Sequence, residues 1–498
     1  MLYSTSVDRI AAGARTDGHE EVVQPGHFLR ATTTSFRRIP ATGQPIGWCL
    51  AIALCIILPA CAALPDVKDL NTSLVPRATP AVKTAKGPLG KEQARSLLAR
   101  RWANSATDIT KLAALEEAAT GVPLLAGNKL TLLFDGPQTL AAMSAAVAAA
   151  KDNINLETYI FDQDELGMRF ADLLIARQKD GVQVSIIYDS VGTIGTPEAF
   201  FQRMRDAGIR LTAFNPVNPL AHFGRWQLNN RDHRKILIVD GRVAFTGGIN
   251  ISGSYSSSSF FRSGKRVDGK IGWRDTHVRI EGPAVAALQW AFVETWARQQ
   301  QDELPERNFF PPLTNAGDKI VRVIASDPGG DYQIFRAYIL AIQEAKKSIH
   351  LTTAYFVPDR QMIEALSNAA RRGVDVKIVL PGVPEVGPVF HAGRSFYSEL
   401  LAGGVKIHEL KLAVLHAKTA VIDGVWSTVG STNLDMRSFV YNNEINIVIL
   451  GDSFGAEMEK AFDEDLRGST EIKSEKWEQR SYLDRIKEWS ARAFENWL

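Results

Sequence analysis

Residues 231–250 read RDHRKILIVDGRVAFTGGIN, and residues 415–433 read LHAKTAVIDGVWSTVGSTN. Each copy holds His-x-Lys-x-x-x-x-Asp, then a glycine, a small residue and an asparagine. His233 lies 183 residues before His416, and Gly247 and Asn250 stand at the same offset from Gly430 and Asn433. The surroundings repeat as well: LTLLFDGPQTLAAMSAAVAAAKDNINLETYIFDQD (130–164) parallels VRVIASDPGGDYQIFRAYILAIQEAKKSIHLTTAYFVPD (321–359). In both, a strand, a turn with proline, an apolar helix and a second strand follow in order. A chain built this way folds as two copies of one unit, and 498 residues suffice for two cores of ordinary size.

Within each unit, GMRFADLLIARQKDGVQVSIIYD and QMIEALSNAARRGVDVKIVLPG pass from helical spacing, through Gly181-Val182 or Gly373-Val374, into an alternating β-branched run. Glycine at a helix end directly before a strand is a short αβ connection. The order predicts α/β layers, with helices on both sides of a mostly parallel sheet. Each motif is followed by a strand bearing an acid, Asp275 in WRDTHVRIEG and Glu444 in NNEINIVILG, 169 residues apart. The first unit therefore holds about 14 extra residues, corresponding to SGSYSSSSFFRSGKRVDGK. That loop reads either as a substrate-contacting element or as a solvated insertion.

On an extended strand His233 and Lys235 share a face. A fixed ammonium beside an imidazole repels a cation, so this is not a metal site, and neither metal nor organic cofactor is expected. It suits an anion: lysine supplies charge and donors, and neutral imidazole supplies a nucleophilic nitrogen or a proton relay. Two such faces packed about a pseudo-twofold axis put two histidines and two lysines around one pocket, as a phosphodiester requires. One histidine would attack phosphorus, and the other would protonate the leaving alcohol and then activate the acceptor. Lys235 and Lys418 would neutralise the non-bridging oxygens, with Asn250 and Asn433 adding amide donors. Asp275 and Glu444 would each fix an imidazole tautomer through its other nitrogen. Asp240 and Asp423 complete the catalytic motifs, but their odd spacing from histidine points them to the other face and favours a role at the turn. His277 is expected to be structural, because Asn446 stands at its place in the second copy.

The paired motifs, with Gly-Gly or Gly-Ser and Asn, resemble those of the phospholipase D superfamily over roughly residues 125–465. WRDTHVRIEGPAVAALQWAFVETW, TTAYFVPD and GSTNLDMRSFVYNNEINI are similar to bacterial cardiolipin synthases. The first copy departs at GGINISGSYSSSS, where synthases usually carry acidic residues before the tyrosine corresponding to Tyr255. The resemblance implies two pseudo-twofold-related α/β sandwich domains with the active site at their interface. It implies transfer of phosphatidyl groups from phosphatidylglycerol or a related donor through a phosphohistidine, without a metal. It also favours His233 as the nucleophile and His416 as the acid/base. Water as acceptor would instead make the chain a phospholipase D-type hydrolase or an exported nuclease.

Composition narrows these choices. A formal net charge of +2 and no basic, aromatic-interleaved groove argue against nucleic acid as a partner. Phospholipids and a membrane surface are the expected partners; oligomeric state is not encoded in any motif. The three cysteines, Cys49, Cys55 and Cys61, all fall in one apolar run, 46–64, behind Arg37 and Arg38. That run reads as a signal peptide or retained anchor, which places the body on the outer side of a bacterial envelope. LPAC at 58–61 resembles a lipobox, with Cys61 as the lipid-bearing residue; cleavage near Ala60–Ala63 is the alternative. Residues 1–45 are long for a signal flank, so a later start codon is expected. The chain then divides into an N-terminal region (1–64), a tether (65–95), a first domain (96–312) and a second domain (313–498). In the last segment, RSYLDRIKEWSARAFENWL, Tyr482, Ile486, Trp489, Ala493 and Trp497 recur at helical spacing. A helix packed on the second domain is expected there, with a bilayer-surface helix as the alternative. Tyr159 and Tyr355 are candidates to line the cleft, and Arg437 and Ser438 to contact a headgroup.

Overall fold

The computed structural model describes residues 64–103, 107–218, 229–256, 272–299 and 303–493. The apolar run up to Ala63, with Cys61, and Trp497 lie outside these residues, as does most of the 252–270 loop. Among the described residues no helix is long and apolar enough to cross a membrane.

The duplication is a structural one. In the first half the strand order is Arg210–Phe214, Gln183–Asp189, Asn153–Thr158, Ile236–Val239, Val243–Gly247, His277–Glu281, Leu124–Leu133. The second half repeats it as Lys406–Leu410, Asp375–Pro381, Ser348–Thr353, Lys418–Ile422, Trp426–Gly430, Asn442–Leu450, Lys319–Ser326. The last strand of each series pairs with the other, antiparallel, through Ile320↔Ala126 and Val321↔Leu125. The two sheets are thus continuous through a join that reverses direction, as a pseudo-twofold axis demands.

The expectation of mostly parallel sheets needs correction. Only the first three strands of each series run parallel; the other pairings are antiparallel. One cause is the Asp-Gly pair that ends each motif and reverses the chain between Ile236–Val239 and Val243–Gly247, and between Lys418–Ile422 and Trp426–Gly430. Asp240 (φ 53°) and Gly241 (φ 60°) both adopt left-handed backbone, as do Asp423 (φ 52°) and Gly424 (φ 68°). The amide of Arg242 closes on the carbonyl of Val239 at 3.0 Å. Two successive positive φ values make the two-residue hairpin turn that matches strand twist, so the chain must return antiparallel.

Strand alternation distributes the core among three layers. Leu237 and Val239 join the outer layer of the first half with Leu140, Phe170 and Phe200. Ile236 and Ile238 point the other way, into a layer shared with Leu288, Phe292, Ile445, Ile447 and Phe462 from both halves. This period of two is what strands buried on both faces require.

Residues 65–95 are not a tether, and the segment up to Thr120 belongs with the second half. Val67, Leu70, Val82, Leu98, Leu112 and Leu115 are buried in its outer core. The helix Gln333–Glu344 buries residues almost all round its circumference and therefore needs cover on its outer side. The helix Ile109–Thr120 supplies it, with Lys111 Nζ 2.7 Å from Glu344 Oε2. Beneath it, fully buried Glu116 pairs with Arg322 and accepts a bond from Trp426 Nε1 at 2.6 Å.

Removing one partner of a buried ion pair strands the other. Glu116→Ala is therefore expected to lower unfolding free energy by ~3–5 kcal/mol in urea titrations. Lys111→Ala, at a half-exposed surface pair, is expected to change it by about 1 kcal/mol or less.

Candidate active site

The site forms where each half lends a short strand to the other. Arg231–Asp232, just before His233, pairs parallel with Asn442–Asn443 of the second half, and the His233 amide donates to the Asn443 carbonyl at 3.0 Å. Reciprocally, Trp273–Arg274 pairs parallel with Val414–Leu415, and the His416 amide donates to the Arg274 carbonyl at 2.8 Å. Each histidine is therefore delivered beside the acidic strand of the opposite half.

The consequence is a crossed pair of dyads. His233 Nδ1 lies 3.0 Å from Glu444 Oε1, and His416 Nδ1 lies 2.7 Å from Asp275 Oδ2. An Nδ1–H that donates to a carboxylate leaves Nε2 as the lone-pair nitrogen of each ring. Both rings are almost wholly buried. Lys235 Nζ donates to the His233 carbonyl at 2.6 Å, and Lys418 Nζ donates to the His416 carbonyl and stands 3.0 Å from His416 Nδ1. Tyr159 meets His233 edge-on at 5.1 Å between centroids, and Tyr355 meets His416 likewise at 6.2 Å. The two tyrosines thus line the two imidazoles at equivalent positions.

The remaining motif residues hold the frame. Asp240 accepts the backbone N–H groups of Lys151, Asp152 and Asn153, the closest at 2.7 Å. Asp423 does the same for Lys346, Lys347 and Ser348. Seven residues at about 3.3 Å each separate Asp240 from His233, roughly 20 Å, so neither aspartate reaches the imidazoles. Although they belong to the catalytic motifs, each clasps the start of the neighbouring strand, in the turn role that their odd spacing favours. Asn250 is occupied too, its Oδ1 accepting from the Ile160 amide and its Nδ2 donating to the Tyr255 hydroxyl, both at 3.1 Å. Asn433 is held by its backbone N–H, which donates to Ser438 Oγ at 3.2 Å, and its Oδ1 is buried without a partner among the described residues. His277 accepts the Ile249 amide, and burial holds it down to about 3, so it stays neutral and structural.

Four further contacts surround the dyads. The Tyr255 hydroxyl stands 3.2 Å from His416 Nδ1, and Trp273 lies 5.0 Å from the same ring. Tyr255 lies early in the extra loop, and Trp273 follows that loop in the chain. Ser431 Oγ donates to Glu444, whose other oxygen takes Asn442 Nδ2 at 3.2 Å. Gly248 stands where Ser431 does, because a Cβ there would strike the Asp275 carboxylate. The Gly-Gly against Gly-Ser difference between the motifs was the legible trace of this asymmetry.

Electrostatically the four basic groups crowd one another. His233 is pushed well below its ordinary value by burial, then by Lys235, Lys418 and His416. His416 is lowered by burial and Lys418, with Asp275 acting the other way. Burial brings Lys235 down to about 7 against the pull of Glu444, and lowers Lys418. Glu444 is pushed up to about 7 by burial. Asp275 ends below the carboxylate norm: burial would raise it, but the His416 hydrogen bond, Lys418 and the Thr276 amide prevail. The two histidines and Lys235 thus bind protons less readily near neutrality than exposed groups would, and the charge of an anion favours their uptake.

Binding of a phosphodiester, whose own charge is constant near neutrality, is accordingly expected to take up protons, most clearly above pH 7. Affinity should fall as pH rises through about 7, where Lys235 loses its proton in the free protein. Calorimetry in buffers of different ionisation enthalpy reads the uptake, and Lys235→Met should reduce it.

The family model described as cardiolipin synthase, phospholipase D-like domain, matches residues 143–260 and 338–466, one segment from each half. Among curated proteins, cardiolipin synthase of Alkalihalophilus pseudofirmus is 35% identical over 374 residues, covering 74% of this chain and 72% of that one. Cardiolipin synthase 1 of Bacillus cereus is 36% identical over 381 residues, with the same coverage. Among solved structures, phosphatidylserine synthase of Haemophilus influenzae superposes with a TM-score of 0.55 over 73% of this chain and 92% of that one. At 12% identity it speaks for the fold alone. With two crossed histidine–carboxylate dyads and this similarity along most of its length, the chain belongs to the phospholipase D-like cardiolipin synthase family.

Proposed function

We propose that the protein is a phosphatidyltransferase that forms cardiolipin from phosphatidylglycerol through a covalent phosphohistidine. The observation that carries this reading is the crossing of the dyads, which sets two oriented imidazoles with two lysines in one buried site. In the first step His233 Nε2 attacks phosphorus, the bond to the headgroup glycerol oxygen breaks, and His416 gives that oxygen its proton. In the second, His416 takes the proton from a hydroxyl of a second phosphatidylglycerol, whose oxygen attacks phosphorus and expels His233. Lys235 and Lys418 balance charge on the non-bridging oxygens in both steps.

The assignment of roles rests on the unequal carboxylates. Asp275 holds a full negative charge and supports an imidazolium on His416, the state a general acid needs. Glu444 holds its charge weakly, and His233 is pushed furthest toward the neutral form, the state a nucleophile needs. The apolar run 46–64 is proposed to fix the chain in the bacterial envelope with its catalytic body on the outer side, and Cys61 is the candidate lipid-bearing residue. Protection of the body from protease in intact spheroplasts would count against that orientation.

Purified protein incubated with phosphatidylglycerol, without added metal, is expected to yield cardiolipin and free glycerol by mass spectrometry. Phosphatidic acid as the sole product would make water the acceptor and overturn the transferase reading. His233→Ala and His416→Ala are each expected to lose on the order of 10²–10⁴ in turnover. A phosphodiester with an activated phenolate leaving group separates the roles, because it needs no acid to depart. His416→Ala should still label itself with that reagent, and His233→Ala should not; the reverse pattern would exchange the two roles.

A further inference from the structure

The helix Tyr482–Arg492 is inside out. The residue it buries is Glu488, 2% exposed, while Tyr482 (83%), Leu483 (70%), Ile486 (58%) and Trp489 (75%) face outward. Its polar side is the docking side: Glu488 Oε2 takes Arg480 Nε at 2.9 Å, and Oε1 lies 3.5 Å from Arg394 Nε. Arg394 is itself set among the rings of Phe390, Tyr397 and Trp477, so the anchoring charge is enclosed by aromatics. The expectation that the apolar stripe packs on the second domain is thereby corrected. A globular helix turns such a stripe to the core. Here four of the ten large hydrophobic side chains exposed among the described residues crowd onto three turns.

We propose that this face is a docking surface for an anionic lipid bilayer, which it meets with the helix lying in the interface plane. The occupant follows from three observations. The residues are of interfacial type, with tryptophan and tyrosine beside leucine and isoleucine, and Arg485, Lys487 and Arg492 are exposed among them, against Asp484 and against Glu478, which lies 3.9 Å from Arg485. One helix of 11 residues is too small for a stable contact between two copies, which takes ~800 Å² and some 20–30 residues from each. And the helix it rests on, Gly387–Arg394, lines a narrow, largely apolar cavity together with Tyr355, Glu385 and Leu415. Tyr355 also touches His416, and Leu415 precedes it in the chain, so the cavity abuts the imidazole that activates the acceptor. Docking there sets a lipid surface beside that cavity. The inference rests on the phosphatidyltransferase reading only in what it says the docking is for.

The test uses the full chain, because the readout must be local even if residues 46–64 also hold the membrane. On vesicles of anionic lipid with brominated acyl chains, part of the tryptophan quenching is expected to vanish in Trp489→Phe. A Leu483→Ser, Ile486→Ser, Trp489→Ser variant is expected to lose roughly tenfold or more in turnover on phosphatidylglycerol vesicles, and to keep wild-type turnover on the same lipid in detergent micelles. Quenching identical in wild type and Trp489→Phe, or a triple variant unimpaired on vesicles, would overturn the proposal. So would a concentration-dependent dimer of the wild type that the triple variant abolishes, which would assign the face to a second copy. Absence of product from wild type in both lipid forms would overturn the transferase reading instead, and the quenching comparison would still decide this one.

Discussion

Everything in this structure is arranged around two carboxylates that each serve the other half's histidine. Asp275 comes from the first half and orients His416; Glu444 comes from the second and orients His233. Taken alone, either half would hold a buried acid with no imidazole and an imidazole with no acid. Several kcal/mol attach to each buried carboxylate left in that state. The halves therefore cannot drift apart or function singly. The shared apolar layer, the antiparallel join near Ile320 and the two exchanged strand segments all serve that one requirement.

Symmetry places the groups, and departures from symmetry divide their labour. Glutamate at one corner and aspartate at the other differ by a methylene, and their neighbours differ to suit. Ser431 and Asn442 solvate Glu444, whereas Gly248 leaves room for Asp275 and the Thr276 amide caps it at 2.7 Å. Among the described residues, only the His416 side has a tyrosine hydroxyl and a tryptophan pressed on the imidazole. A perfectly symmetric site would give two equivalent histidines, and a reaction with one nucleophile and one acid needs them unequal.

What could be read in the chain beforehand was whatever depends on local pattern and on repetition. The constant offset of 183 identified the duplication and the two motifs, and the strand that follows each motif identified the equivalence of Asp275 with Glu444. It could not say which acid serves which histidine, because equivalence under a twofold axis is silent on crossing. The parity argument placed Asp240 and Asp423 away from the histidines, and the left-handed Asp-Gly turns explain why those residues are there. The same turns were underweighted when the sheets were taken as mostly parallel. The 65–95 segment was misread because Pro, Thr and Lys dominate its composition while Val67, Leu70 and Val82, too sparse to form a period, do the packing. At the C-terminus periodicity found the stripe but not its direction. Helical spacing is identical whether a face looks inward or outward, and the decision lay with a distant Arg394 that accepts Glu488 in its place.

The site also weakens the fold that makes it. Glu444 binds its proton up to about 7 in the folded chain but only to about 4.5 unfolded, so its contribution to stability declines as pH rises through that interval and stays low above it. Lys235 behaves in the opposite sense: folded, it gives up its proton near 7 rather than 10.5, so its penalty is full below 7 and fades only above. Around neutrality both penalties act together. An anionic phosphodiester relieves the lysine without creating a new buried charge imbalance, since its negative charge is what Lys235 and Lys418 lack. The stability that these buried charges cost the folded chain is in this way available to hold a phosphodiester between the two imidazoles, which is where the crossed carboxylates require it to be.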